Sequence, residues 1–304
     1  MSVAVASFYR FASLPSPTAW RDDLEALARR LDLKGSCLVA PEGINATLAG
    51  SQPAVQRFIK HIETQPGFAA LSVRWTAHSS VPFRRLKVQL RREIVTLGLA
   101  ELAPSTADQI QTASLRIKPE DWDALLRLPH LRLIDVRNAF EVRIGSFKGA
   151  IDPKLACFRD FPRWAEQNLD LAQKSTQPVA LFCTGGIRCE KAAAYLHQRG
   201  VETIYQLDGG ILSYLSRTAA TQWEGDCFLF DERVALNKQQ QPSGHQICSV
   251  CRAPVAPAER DHPDYQPGQS CPSCAGTRSA KTLERAAARF AQFERLGRGH
   301  LSPT

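Results

Sequence analysis

The chain reads as an α/β protein in three parts: an α+β sandwich first, a parallel α/β domain in the middle and a small cysteine-bearing region at the end. Three observations predict this. Apolar residues alternate with period two, then recur at helical spacing, in the order βαββαβ through the N-terminal part. Short apolar runs and helical patterns then alternate regularly, which implies parallel strands covered by helices. Four of the nine cysteines stand as Cys248-x2-Cys251 and Cys271-x2-Cys274. A length of 304 residues suits two or three domains, and the composition places them at 1–115, 116–217 and 218–304.

In the first part, residues 3–9 form a strand, and Ser16-Pro17 supplies an N-cap with proline at the first helical position. Trp20, Leu24, Leu27, Ala28 and Leu31 give an amphipathic helix over 17–32. Strands at 38–40 and 46–48 flank Pro41-Glu42-Gly43-Ile44-Asn45. Val55, Phe58, Ile59 and Ile62 face inward from a helix over 53–64, and strands follow at 71–76 and 84–90. This order is that of a ferredoxin-like sandwich. In the last strand Leu86, Val88 and Leu90 alternate with Arg85, Lys87, Gln89 and Arg91, so the basic residues share one sheet face. Such a ladder tracks phosphates or is an ordinary solvated face; like charges stacked without a partner repel, which favours RNA contact.

Residues 101–112 are polar and read as a linker. Beyond them come a helix at 119–126, a strand at 131–136, a helix within 159–172, a strand at 178–182, a helix at 190–199, a strand at 203–206 and a last helix at 211–215 opened by Gly209-Gly210. Open α/β sheets place ligands at strand C-termini. There stands Cys183, followed by Thr184, Gly185, Gly186, Ile187 and Arg188. A glycine loop at a helix N-terminus turns backbone N–H groups inward as an anion nest. A thiol in such a nest loses its proton easily, and the thiolate is the reactive form. The bland reading, a buried cysteine before a glycine turn, explains neither Arg188 nor the helix start. Cys189 either caps and packs the helix start or resolves an oxidised Cys183 as a disulfide. Cys37, Cys157 and Cys227 read as packing cysteines.

In the last part, two C-x2-C pairs nineteen residues apart match a tetrahedral structural Zn²⁺ site at Cys248, Cys251, Cys271 and Cys274, with a redox dithiol pair or an iron–sulfur cluster as alternatives. A terminal helix follows at 282–296. The cysteine usage suits a reducing, cytoplasmic compartment. No apolar run approaches the roughly eighteen residues of a membrane span. The net charge of +8 permits a nucleic-acid partner.

The C-x4-R loop resembles the rhodanese family, whose cysteine carries a persulfide. With Asp135, Arg137, Glu141, Phe147-Lys-Gly-Ala150 and Cys183 in the family's order, the resemblance implies a rhodanese-like domain in which Asp135, Arg137 and Glu141 brace the loop. The run 183–192, Pro41-Glu-Gly-Ile-Asn-Ala-Thr47, Leu86-Lys-Val88 with Ile94-Val-Thr-Leu97, Trp223-Glu-Gly-Asp-Cys227 and the paired cysteines together resemble the bacterial tRNA uridine hydroxylase family, UPF0176. That resemblance implies O2-dependent hydroxylation of uridine 34 in tRNA anticodons to 5-hydroxyuridine, with Cys183 essential and an electron donor that the sequence does not identify. A rhodanese-type sulfurtransferase working through a Cys183 persulfide is the alternative. For an anticodon base, Phe147, Phe158, Phe161 and Trp164 are stacking or core residues, and Arg159 and Arg163 stand ready for flanking phosphates.

Overall fold

The structure is a computed structural model that describes residues 3–99, 102, 113–169, 171 and 177–295. Nearly all of the expected linker, and the last residue of the expected terminal helix, lie outside the described residues. The chain forms two compact units, one of residues 1–138 and 149–214, the other of 139–148 and 215–304.

The first unit opens with β1 (Val3–Phe11), α1 (Pro17–Arg30), β2 (Lys34–Ala40), β3 (Gly43–Gly50), α2 (Gln52–Glu63), β4 (Arg74–His78) and β5 (Leu86–Leu90). Their sheet runs β4-β1-β3-β2-β5, antiparallel throughout except where β5 lies parallel to β2. The first four strands keep the ferredoxin-like order, and β5 extends the sheet at its edge. Leu24 and Ala28 from α1, and Val55, Phe58 and Ile62 from α2, pack into one core with Ala6, Phe8, Val39 and Leu48. Each large apolar side chain so buried is worth roughly 1.5–3 kcal/mol.

Several boundaries differ from the sequence-based expectation for local reasons. Helix α1 stops at Arg30 because Asp32 adopts a left-handed φ of 49°. Ser16 holds the N-cap position without a side-chain cap bond, whereas the Ser51 hydroxyl accepts from the Ala54 N–H at 3.4 Å. The strand expected from residue 71 starts at Arg74, after a turn with Ala70 at φ 53°.

A second sheet completes this unit: β6 (Leu115–Ile117), β7 (Arg132–Asp135), β9 (Val179–Phe182) and β10 (Ile204–Leu207), parallel, in the order β6-β10-β9-β7. The helices between are α3 (Pro119–Leu125), α5 (Phe161–Asn168), α6 (Ile187–Gln198) and α7, which spans Gly210–Arg217 and so runs past the boundary of the unit. Strand β9 is buried along its whole length, as expected of an apolar run in the middle of a parallel sheet.

The second unit contains α4 (Ala139–Val142) and β8 (Gly145–Phe147), the latter pairing antiparallel with β11 (Trp223–Gly225). The Phe147 ring stands edge-on to Trp223 at 5.2 Å. Two further short hairpins, β12 (Cys227–Phe228) with β13 (Ala235–Leu236) and β14 (Gln246–Ile247) with β15 (Pro254–Val255), lead to α8 (Ala280–Arg295). Among the described residues no helix is long and apolar enough to cross a membrane.

Candidate active site and cysteine cluster

Strand β9 ends at Phe182, whose carbonyl accepts from Val136 N–H at 3.1 Å, and the next residue is Cys183. The loop then turns through Gly186, the left-handed N-cap of α6 at φ 98°. Three hydrogen bonds fix it. The Gly186 N–H donates to the Cys183 sulfur at 3.1 Å. From the other side, Ile211 N–H donates to the Cys183 carbonyl at 2.9 Å and Leu212 N–H to the Thr184 carbonyl at 3.2 Å. The start of α7 thus holds the loop carbonyls outward and leaves loop N–H groups for the sulfur, as the sequence predicted for a nest. Gly210 permits this close approach, since a Cβ there would stand 2.5 Å from the Cys183 carbonyl oxygen.

Cys183 is fully buried. Burial alone raises a thiol pKa. It is outweighed by the Cys189 thiol donating to the sulfur, by the Arg188 guanidinium and by backbone N–H groups of Arg188 and Gly185, which together bring Cys183 down to about 6. Cys189 moves the other way, pushed well up by burial and by the neighbouring Cys183 thiolate. One sulfur is therefore charged at neutral pH and the other keeps its proton. Asp135 and Arg137, both fully buried, form a two-pronged ion pair, with Arg137 Nε 2.8 Å from Asp135 Oδ1. The Asp135 carboxylate contributes to the upward push on Cys189. Glu141 is also fully buried, in α4 of the second unit.

The first turn of α6 carries a feature that sequence reasoning missed. Glu190 and Lys191 follow Cys189, and both are buried. Glu190 Oε1 accepts from the Tyr9 hydroxyl at 2.6 Å and from Arg116 Nη2 at 2.7 Å. Lys191 Nζ lies 2.8 Å from Glu42 Oε2 and 2.6 Å from Glu93 Oε2. Glu42 also accepts from Ile94 N–H at 2.6 Å, and Glu93 from Leu97 and Gly98 N–H at 3.0 Å each. Burial pushes the Glu42 carboxyl up despite Lys191. For Glu93, burial is overcome by Lys191 and the backbone donors, and its carboxyl is held down. Tyr9 stands directly over the loop, for a Cβ on Gly186 would lie 2.9 Å from its hydroxyl oxygen. The signal was present in two motifs, Glu42 in the Pro41–Asn45 turn and Glu190-Lys191 after the cysteines, but nothing local says that they meet.

Other expected residues are dispersed. Arg85 and Arg91 are exposed and Lys87 is half-buried on the edge strand and its extension. Arg163 pairs with Asp160 at 3.1 Å and Arg159 is exposed beside Gly98. Phe147, Phe158 and Phe161 are buried, so they serve packing; Trp164 is half-buried against the central core. Cys37 and Cys227 are buried as expected, but Cys157 is exposed, because it sits at the cap of a short turn where its thiol donates to Asp160 at 3.5 Å.

In the second unit the sulfurs of Cys248, Cys251, Cys271 and Cys274 all lie within 4.8 Å of one another. Cys248 and Cys274 are 3.9 Å apart, Cys251 and Cys271 3.6 Å, and Cys271 and Cys274 3.7 Å. A tetrahedron with bonds of about 2.3 Å has edges of about 3.8 Å, so four thiolates in this arrangement fit a zinc ion.

A parallel sheet presenting a low-pKa cysteine in a glycine loop defines a rhodanese-type domain, and residues 118–217 match the Rhodanese-like domain family. Residues 3–94 match the UPF0176 acylphosphatase like domain. Over 96% of its length the chain is 44% identical to a protein of Mesorhizobium japonicum named tRNA uridine(34) hydroxylase, covering 93% of that relative. Proteins of the same name from Synechococcus elongatus (48% identity over 86% of this chain and 96% of the relative) and Caulobacter vibrioides (41% over 100% and 98%) are similar along nearly their whole length. The chain belongs to the tRNA uridine(34) hydroxylase family.

Proposed function

We propose that this chain is an O2-dependent tRNA uridine(34) hydroxylase that converts the anticodon base to 5-hydroxyuridine in the cytoplasm. The observation that carries the reading is the Cys183 thiolate, held in a nest of N–H groups, in a chain of this family. In uridine, C6 is electrophilic because C5=C6 is conjugated to the C4 carbonyl. The thiolate adds to C6, C5 becomes nucleophilic and bonds to one end of O2, a two-electron donor then cleaves the O–O bond so that the outer oxygen leaves as water, and loss of the C5 proton with departure of the sulfur restores the double bond. Arg188 and the loop N–H groups stabilise negative charge that develops beside them. Asp135 and Arg137 act as a buried brace.

Within this reading residues 1–115 contribute RNA contact through Arg85, Lys87 and Arg91, residues 116–217 the chemistry, with Arg159 and Arg163 toward flanking phosphates, and residues 218–304 a zinc-stabilised knuckle at the four cysteines. The test is nucleoside mass spectrometry of tRNA from a strain carrying the Cys183→Ser protein as its sole copy. Loss of 5-hydroxyuridine is expected. Retention of the nucleoside at the wild-type level refutes the thiolate mechanism, and loss of a thiolated nucleoside instead identifies a sulfurtransferase.

A further inference from the structure

Hydroxylation by O2 leaves one oxygen atom to be reduced to water, and the two electrons must come from somewhere. We infer that Cys183 and Cys189 are a two-electron dithiol couple that supplies them, so that each turnover ends in a Cys183–Cys189 disulfide reopened by an external dithiol. This rests on the function proposed above and deepens it by naming the reductant.

Three features support the couple. The Cys189 thiol stands close enough to the Cys183 sulfur to be the foremost group lowering its pKa. Both are fully buried, which keeps bulk water from an oxidised intermediate at either. Cys189 is the third residue of α6, fixed by its N–H to the Gly186 carbonyl at 3.0 Å, the same residue whose own N–H holds the Cys183 sulfur. The other cysteines of this unit are placed elsewhere: Cys37 lies in the N-terminal core and Cys157 is exposed beside Asp160.

The steps balance. Cys183 sulfur bonds to C6, and C5 bonds to one end of O2, giving a hydroperoxide on carbon. Cys189 sulfur attacks the outer oxygen, the O–O bond breaks, C5 keeps a hydroxyl and Cys189 becomes a sulfenic acid. The C5 proton and the C6–S bond are lost, releasing 5-hydroxyuridine and the Cys183 thiolate. That thiolate attacks the Cys189 sulfur, expelling the oxygen as water and closing the disulfide. In sum, uridine, O2 and two thiols give 5-hydroxyuridine, water and one disulfide. Burial and the Cys183 thiolate hold Cys189 protonated at rest. Once Cys183 is bonded to carbon its charge is gone, while Arg188 still favours an anion at Cys189, so the second sulfur is activated only after the first has reacted.

The experiment uses the full chain, reduced and then freed of reductant, with unmodified tRNA in air. Product is counted by nucleoside mass spectrometry and the disulfide by peptide mass. Trypsin cuts after Arg188 and Lys191, so a Cys183–Cys189 bond tethers the peptide ending at Arg188 to Cys189-Glu-Lys191. One 5-hydroxyuridine and one disulfide per chain are expected, with further turnover on adding dithiothreitol. Cys189→Ser should make about tenfold less product or lower under the same conditions. Repeated turnover without reductant, product without disulfide, or a full single turnover by Cys189→Ser overturns the couple while leaving the hydroxylase intact. No product from the wild-type chain even with dithiothreitol removes the hydroxylase reading and the couple with it.

Discussion

The Cys189→Ala substitution tests how the thiolate is made. Of the groups that lower the Cys183 pKa, the Cys189 thiol is the foremost, ahead of the Arg188 charge. With the wild-type value at about 6, about 90% of Cys183 is thiolate at pH 7, against about 1% for a thiol near 9. A hydrogen bond to a charged group is worth about 1.5–3 kcal/mol, which moves the midpoint up by about one to two pH units. The Cys189→Ala protein should therefore ionise at about pH 7–8, with its thiolate fraction at neutrality reduced by roughly two- to tenfold. The assay is the rate of iodoacetamide alkylation of Cys183 from pH 5 to 9, read on the peptide ending at Arg188. Cys189→Ser keeps a hydroxyl donor and should stay near the wild-type midpoint. A midpoint unmoved in Cys189→Ala, or moved equally in Cys189→Ser, refutes the assigned role of that hydrogen bond. The serine variant then separates the two duties of Cys189, since it preserves the thiolate and lacks the electrons.

Other outcomes follow from the same geometry. Lys191→Met leaves Glu42 and Glu93 without their shared cation and should cost about 3–5 kcal/mol at pH 7 in urea unfolding. Without Lys191, the cation that opposes burial at both carboxyls is gone, so protonation relieves the variant more than the wild type and the loss should shrink as pH falls through the carboxylate range; a deficit that is small or independent of pH would contradict the buried triad. One zinc ion per chain is expected by elemental analysis, and its removal by chelator, or Cys274→Ser, should lower Tm; a metal-free chain with unchanged Tm would dismiss the knuckle. Replacing Arg85, Lys87 and Arg91 together with Ala should weaken tRNA binding and flatten its log–log salt dependence by about 2–3. An unaltered salt slope would reassign the ladder to an ordinary solvated face.

The cysteine loop was legible because its chemistry is local. Cys183, Gly186 and Arg188 sit within one turn, and apolar β9 before them announces a buried strand. The four-cysteine cluster was legible for the same reason, as spacing encodes it. What escaped depends on pairing across long separations. Tyr9 and Glu190 are 181 positions apart, and Lys191 and Glu93 are 98 apart; a charged pair in an otherwise helical stretch looks like any solvated turn until its partners are known. The same holds for β5, whose parallel docking on β2 needs a chain reversal that no periodicity records, and for β8, which leaves the parallel sheet to pair with β11. Cys157 shows the limit of composition: cysteine is usually buried, yet a capping position holds this one at the surface.

The turn of α6 that follows the two sulfurs also bears on how such a chain can be inherited. Modules that recombine freely among genes present neutral, self-sufficient faces. Here the region matched as rhodanese-like carries Glu190 and Lys191 into the interior, and their counter-groups Tyr9, Glu42 and Glu93 belong to the region before it. Grafted onto another scaffold, that turn would bring a buried ammonium without its two carboxylates close to the nucleophile. The Lys191 charge is thus answered from the N-terminal sandwich, and the turn that carries the thiolate's helix depends on that region for its own balance.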